Sequence, residues 1–183
     1  MSSKYKFQDQ RKLYFVSFSV VNWIDVFTRK YYRDIFLESL RFCQENKGLE
    51  IYAWCIMSNH VHLIIGTSQM PMQDIIRDLK KFTSVKIIEA IKENQQESRK
   101  EWLLWMFERA GKKNPNNTNY QFWQQDNHPI ELSNNEMMTQ KLNYIHHNPV
   151  EAGIVLSSEE YLYSSSKNDA GLKDDLIEIL YID

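Results

Sequence analysis

The 183-residue sequence has only two cysteines, Cys43 and Cys55, too few and too far apart for a disulfide framework or a metal-binding cysteine pair. They read as small buried hydrophobes in a reducing compartment. No apolar run approaches the roughly 20 residues that a membrane helix needs, and the mean hydropathy is −0.54. The charged start (Lys4, Lys6, Asp9, Arg11, Lys12) is not followed by a signal-type apolar segment, so a cytoplasmic protein with no membrane partner is expected. Net charge is also scarce, at −2. Its distribution is uneven: residues 151–183 hold eight acids and two lysines, which leaves residues 1–150 at +4. A mildly basic body with an acidic tail permits a polyanionic partner without requiring one.

Hydrophobic residues are plentiful at 43%, enough for one shared core in one domain. Leu13 to Val21 alternates Val16, Phe18 and Val20 against Ser17 and Ser19, predicting a strand with one wetter face. Tyr31 to Lys47 carries the stripe Tyr32, Ile35, Phe36, Leu40 and Cys43, with Gly48 as the stop, and predicts a helix. Leu49 to Met57 reads as a buried strand. It turns at Ser58-Asn59 into a second strand, His60 to Gly66. Pro71 opens a helix to about Asn94, with Met72, Ile75, Ile76, Leu79, Phe82, Ile88 and Ile91 expected inward. Trp102 to Arg109 suggests another helix, and residues 111–119 (GKKNPNNTN) a loop. A short edge strand fits His128 to Leu132, because Pro129 cannot donate to a ladder. Asn135 to His147 should be a helix ending at Asn148, since Pro149 disfavours helical geometry before it. The order β-α-β-β-α-β-α predicts an α+β fold, a ferredoxin-like antiparallel sheet with helices packed on one face. Residues 155–183 are expected to be an acidic appendage to the same globule.

The sharpest chemical feature is His60-Val61-His62. Residues i and i+2 of a strand share a face roughly 6–7 Å apart, so both imidazoles can reach one ion while Val61 packs oppositely. Tyr144 and Asn148 stand at i and i+4, on one face of a helix. If that face looks at the histidine pair, the Asn148 amide oxygen completes three ligands and the Tyr144 hydroxyl hangs beside them. Taken alone, Tyr144 reads rather as an amphipathic core tyrosine and Asn148 as a C-terminal cap before proline.

The two segments together, Met57-Ser58-Asn59-His60-Val61-His62-Leu63 and Tyr144-Ile145-His146-His147-Asn148-Pro149-Val150-Glu151-Ala152-Gly153, resemble the single-tyrosine HUH transposases, specifically the REP-associated tyrosine transposases. The resemblance runs from about Tyr14 to Ser166 and takes in Phe122-Trp123-Gln124 and Tyr161-Leu162-Tyr163-Ser164-Ser165. Ser58 departs from it, standing where these proteins usually have proline, and the stretch from Gln95 to Asn119 is longer than in compact members. The resemblance implies a domain over residues 1–154, a catalytic Tyr144, and metal ligands His60, His62 and Asn148. It also implies nicking and strand transfer on single-stranded or hairpin DNA through a 5′-phosphotyrosine, by a monomer or homodimer.

Magnesium or manganese suits phosphoryl chemistry, although two imidazoles also accept zinc. A second class is a domesticated DNA-binding module that keeps the fold without the chemistry. A metallohydrolase barrel built on His-x-His would need about 250 residues. Arg77, Lys80, Lys81 and Lys86 lie off the apolar stripe of their helix, as a solvated face or as phosphate contacts. Tyr120 and Trp123 could stack on unpaired bases, each contact worth about 1–3 kcal/mol; core packing is the leading reading for Trp123. His146 and His147 are expected at an exposed helix end, and His128 with Asp126 as a loop pair.

Overall fold

A computed structural model describes residues 7–114, 119–125, 127–172 and 176–181. Four antiparallel strands form one sheet in the order β2-β3-β1-β4: β1 (Tyr14–Ser19), β2 (Leu49–Ile56), β3 (His60–Thr67) and β4 (Ile130–Glu131). The helices α1 (Lys30–Lys47) and α2 (Met72–Glu93) supply the connections of a ferredoxin-like unit, and α3 (Lys100–Lys112) follows α2. The expected α+β class and antiparallel ferredoxin-like sheet are what the chain forms.

Strand alternation decides what each face meets. Val16, Phe18 and Val20 are fully buried, and Phe18 packs through Trp123 onto Phe36 of α1 and onto Phe27, in the turn that precedes it. The other face carries Phe15, Ser17 and Ser19, the wetter side of β1. In register, Ser17 lies opposite His62 and Ser19 opposite His60. Across that second face runs α4 (Asn135–Glu151), packed on β2 and β3. The two helices of the ferredoxin-like unit thus share one face, and α4 takes the opposite one.

Local signals set the boundaries. The α1 helix ends where Gly48 takes φ +71 and its N–H reaches the Cys43 carbonyl, a conformation glycine adopts without a Cβ clash. The β2–β3 hairpin closes through the Met57 N–H on the His60 carbonyl at 2.8 Å, with Ser58-Asn59 as the turn. The α4 N-terminus is capped by the Asn134 side chain, which accepts from the Met137 N–H at 2.8 Å. Its C-terminus corrects the expectation that the helix stops at Asn148: it runs through Pro149 to Glu151. A proline there forfeits one hydrogen bond in the final turn. The stop falls later, where Ile154 N–H bonds the Pro149 carbonyl and Gly153 N–H the Val150 carbonyl, with Gly153 at φ +69.

A second correction concerns α2. Phe82, expected inward, is 53% exposed, while Thr83 is fully buried. The threonine tolerates that position because its hydroxyl donates to the Leu79 carbonyl and accepts from the Trp123 indole at 3.0 Å. Residues 161–166 follow the free edge of β2. Tyr163 C=O accepts from Ile56 N–H, Ser165 N–H donates to the Trp54 carbonyl, and Ser164 bridges Cys55. Cys43 and Cys55 are both buried, and burial pushes their thiols up to about 11 and about 12.

Candidate active site

On the α4 face, β3 presents both imidazoles and α4 presents Tyr144 and Asn148. The rings of His60 and His62 are 4.7 Å apart between centroids, edge to face. His62 lies 5.2 Å from the Tyr144 ring and stacks on Phe15 at 5.4 Å. The Asn148 side chain lies close enough to His60 to offset part of the lowering that burial imposes on its pKa. All four residues singled out for chemistry are thus brought to one place. Tyr144 is 42% exposed, so the residue is reachable from solvent.

Burial is the dominant influence on both histidines and holds both pKa values below the ordinary one. For His60 the contact with Asn148 pulls partly back. For His62 the neighbouring His60 and Lys141 add to the depression, and its pKa falls to about 3. Both imidazoles are therefore neutral at neutral pH, the form that can ligate an ion. The His60 Nδ1 lies 2.6 Å from the Asn59 side-chain oxygen. With Nδ1–H donated there, Nε2 keeps its lone pair for a ligand, the usual role of an outer-shell partner.

His62 supplies the test of fit for an ion. It is only 4% exposed, and neither of its ring nitrogens finds a hydrogen-bond partner among the described residues. Buried polar atoms are ordinarily satisfied; an ion shared with His60 and Asn148 would satisfy one of these. No cluster of three or more His, Cys, Asp or Glu that could hold an ion occurs among the described residues. The groups here that could hold an ion are two imidazoles and one amide, a set that would leave coordination positions open.

The other candidates are placed elsewhere. Arg77, Lys80, Lys81, Tyr120 and Trp123 line a groove of about 980 Å³ between α2 and the segment around 119–127, on the α1/α2 side of the sheet. Within it, Arg77 pairs with Asp74 and Asp78. Lys80 donates to the Gln124 carbonyl and the Asn127 side chain. Trp123 is buried, the core role favoured for it. Lys81 is exposed, and Lys92 lies 4.6 Å above the half-buried Tyr120 ring. Asp126 lies outside the described residues, so its pairing with His128 is not seen; residues 115–118 of the expected loop are also outside them, while 111–112 belong to α3.

His146 corrects the expectation of solvent exposure, whereas His147 is exposed. The His146 Nε2 meets the Ser165 hydroxyl at 2.8 Å, and its Nδ1 lies 3.7 Å from Asp169. This Ser-His-Asp order is no nucleophilic triad, because Ser165 is fully buried and its oxygen also accepts from the Trp54 N–H. It fastens the chain after α4 to that helix.

Two residues of the site were not anticipated from the sequence. Lys141, one turn before Tyr144, holds its ammonium 4.9 Å above the Phe15 ring and 5.6 Å from the Tyr144 ring. The i, i+3 spacing was the available signal. Phe15 was legible by alternation, sharing a strand face with Ser17.

Comparison with known proteins fits this arrangement. The family model described as Transposase IS200 like matches residues 14–108. The chain belongs to that family, a family of transposases. The match covers the histidine strand and ends before α4. Among solved structures, a REP-associated tyrosine transposase bound to a REP hairpin has the same fold, with a TM-score of 0.67 at 16% identity over 100% of this chain and 94% of that one. A transposase candidate from Deinococcus radiodurans R1 is more distant, with a TM-score of 0.46 at 18% identity over 80% of this chain and 97% of that one. No curated protein matches the sequence. No helix among the described residues is long and apolar enough to cross a membrane.

Proposed function

We propose that this protein nicks single-stranded or hairpin DNA and transfers the strand through a covalent 5′-phosphotyrosine on Tyr144, acting in the cytoplasm as a transposase of the REP-associated kind. The observation that carries the proposal is the convergence of an exposed Tyr144 with the buried, neutral and unsatisfied His62. The Tyr144 phenol oxygen attacks phosphorus. The bond from phosphorus to the 3′ oxygen breaks as the phenol gives up its proton, and the departing strand end takes up a proton to become a free 3′-hydroxyl. The phosphodiester to tyrosine conserves the bond energy, so a 3′-hydroxyl can reverse the step and join strands.

His60, His62 and Asn148 would hold magnesium or manganese, which supplies charge neutralisation and orientation at the scissile phosphate. Asn59 keeps the His60 ring turned toward the site. The Lys141 ammonium, beside the Tyr144 ring, is placed to attract the same phosphate. A free phenol has a pKa of about 10, so orientation and electrostatic stabilisation carry more of the rate than prior ionisation.

The test is covalent capture. Incubated with magnesium or manganese and single strands bearing hairpins, the protein should form an SDS-resistant adduct to the fragment with the new 5′ end. Tyr144→Phe should bind DNA and form none. Cleavage without linkage would mean hydrolysis. Binding without cleavage under either ion would mean a domesticated DNA-binding module. Adduct formation by Tyr144→Phe would move the nucleophile to another tyrosine.

A further inference from the structure

The segment between β1 and α1 contains two consecutive non-glycine residues in the left-handed region, Asn22 and Trp23, each at φ +55. Asparagine visits that region fairly readily; a tryptophan there is an outlier that the surroundings must enforce. The enforcement is visible. The Trp23 N–H donates to the Val20 carbonyl at 3.0 Å, and the Trp23 carbonyl accepts from the Asn59 side chain at 3.2 Å. The same Asn59 side chain faces the His60 Nδ1 through its oxygen. One amide therefore ties the strained residue to the imidazole beside the proposed scissile phosphate.

The outcome is a large ring facing solvent. Trp23 is 57% exposed and meets the His60 ring edge to face at 5.9 Å. Trp102 and Trp105 are comparably exposed, but they sit on the regular helix α3. An unfavourable backbone conformation that places an apolar ring in water beside a reactive centre points to use by a ligand. That ligand must offer a flat face next to a phosphate.

We infer that Trp23 is the stacking platform for an unpaired base adjacent to the scissile phosphate. This rests on the strand-transfer reading and adds a contact that selects single-stranded over duplex DNA at the cut, because only an unpaired base exposes its face. Base–aromatic stacking tolerates every base, so Trp23 supplies strandedness and position rather than sequence preference.

The experiment measures binding of a fluorescein-labelled oligothymidylate in chelator, where no ion contributes. Loss of one stack should weaken the Trp23→Ala protein about five- to 150-fold relative to wild type. Trp23→Phe, which restores a ring, should recover most of the loss. Alanine retains the Cβ that makes φ +55 unfavourable, so the backbone demand is unchanged, and circular dichroism should show a native fold. With the same oligonucleotide carrying 5-iodouracil, light should crosslink the strand to Trp23 in the wild type. Unchanged affinity in Trp23→Ala, while the wild type still forms the Tyr144 adduct, overturns the stacking role and leaves strand transfer standing. If the wild type binds no single strand at all, both fall. If Trp23→Ala loses binding but also loses the manganese-induced rise in melting temperature, Trp23 props His60 instead, and the stacking role is again overturned.

Discussion

Replacing His62 by leucine should make the metal-free protein more stable while removing its response to metal. His62 is buried, uncharged at neutral pH and, among the described residues, without a hydrogen-bond partner for either ring nitrogen. A buried polar group left unsatisfied costs about 1–3 kcal/mol. Leucine has a similar size and no polar atom, and it stays beside Phe15, which stacks on the imidazole. In a chain of this length, 1 kcal/mol moves the melting temperature by about 2–4 °C. The variant in chelator should therefore melt about 2–12 °C above the wild type. Adding manganese reverses the order. At about a hundred times its dissociation constant an ion stabilises the native state by about 2.7 kcal/mol, so the wild type should gain about 5–11 °C and His62→Leu essentially nothing. Scanning calorimetry of both proteins, with chelator and with a manganese series, gives all four values. A lower melting temperature for His62→Leu in chelator, or an undiminished manganese shift in it, would refute the argument that these nitrogens are held in reserve for an ion.

Three further outcomes are expected. Glu97→Gln should destabilise by about 1–3 kcal/mol in urea titration, because the buried Glu97 carboxylate meets Arg29 at 2.7 Å and Arg99 at 3.5 Å, and its loss leaves Arg29 without this carboxylate while Arg99 keeps Asp25 at 2.7 Å; an unchanged stability would count against it. Burial pushes the Glu97 pKa up, but Arg29, the Arg99 N–H and the Arg99 charge bring it below the ordinary value, so this stability is present above the unfolded-state pKa of about 4.3 and lost as pH falls through the lower folded value. Thermal melts below pH 5 should show a steeper decline in wild type than in Glu97→Gln. Gly153→Ala should cost about 1 kcal/mol: a Cβ there meets nothing within 4 Å, so the penalty comes from φ +69 alone.

Most of what was legible in the sequence was local. Periods of two and 3.6 residues placed β1, α1, the hairpin and α2, because those patterns reflect faces that any sheet or helix must bury. The histidine pair was legible for the same reason. What escaped depended on distant residues. His146 read as an exposed helix end, since nothing nearby announces that Ser165 and Asp169 will return to it. Phe82 and Thr83 exchanged roles because the Trp123 indole, forty positions away, satisfies the threonine hydroxyl. The α4 end was misjudged by weighing Pro149 above Gly153, although the glycine supplies the stop. Trp23 carried no signal at all, since its interest lies in a backbone angle.

The single helix that bears both Tyr144 and Asn148 has a mechanical consequence. The two residues are one turn apart on an uninterrupted stretch that Pro149 does not break, and His146 between them is fastened to the chain beyond. The phenol cannot swing outward as a free arm. Any displacement of the helix that carries it from the histidine pair drags the amide along, so in the proposed mechanism withdrawing the attacking group and dismantling the cradle for the phosphate would be one motion.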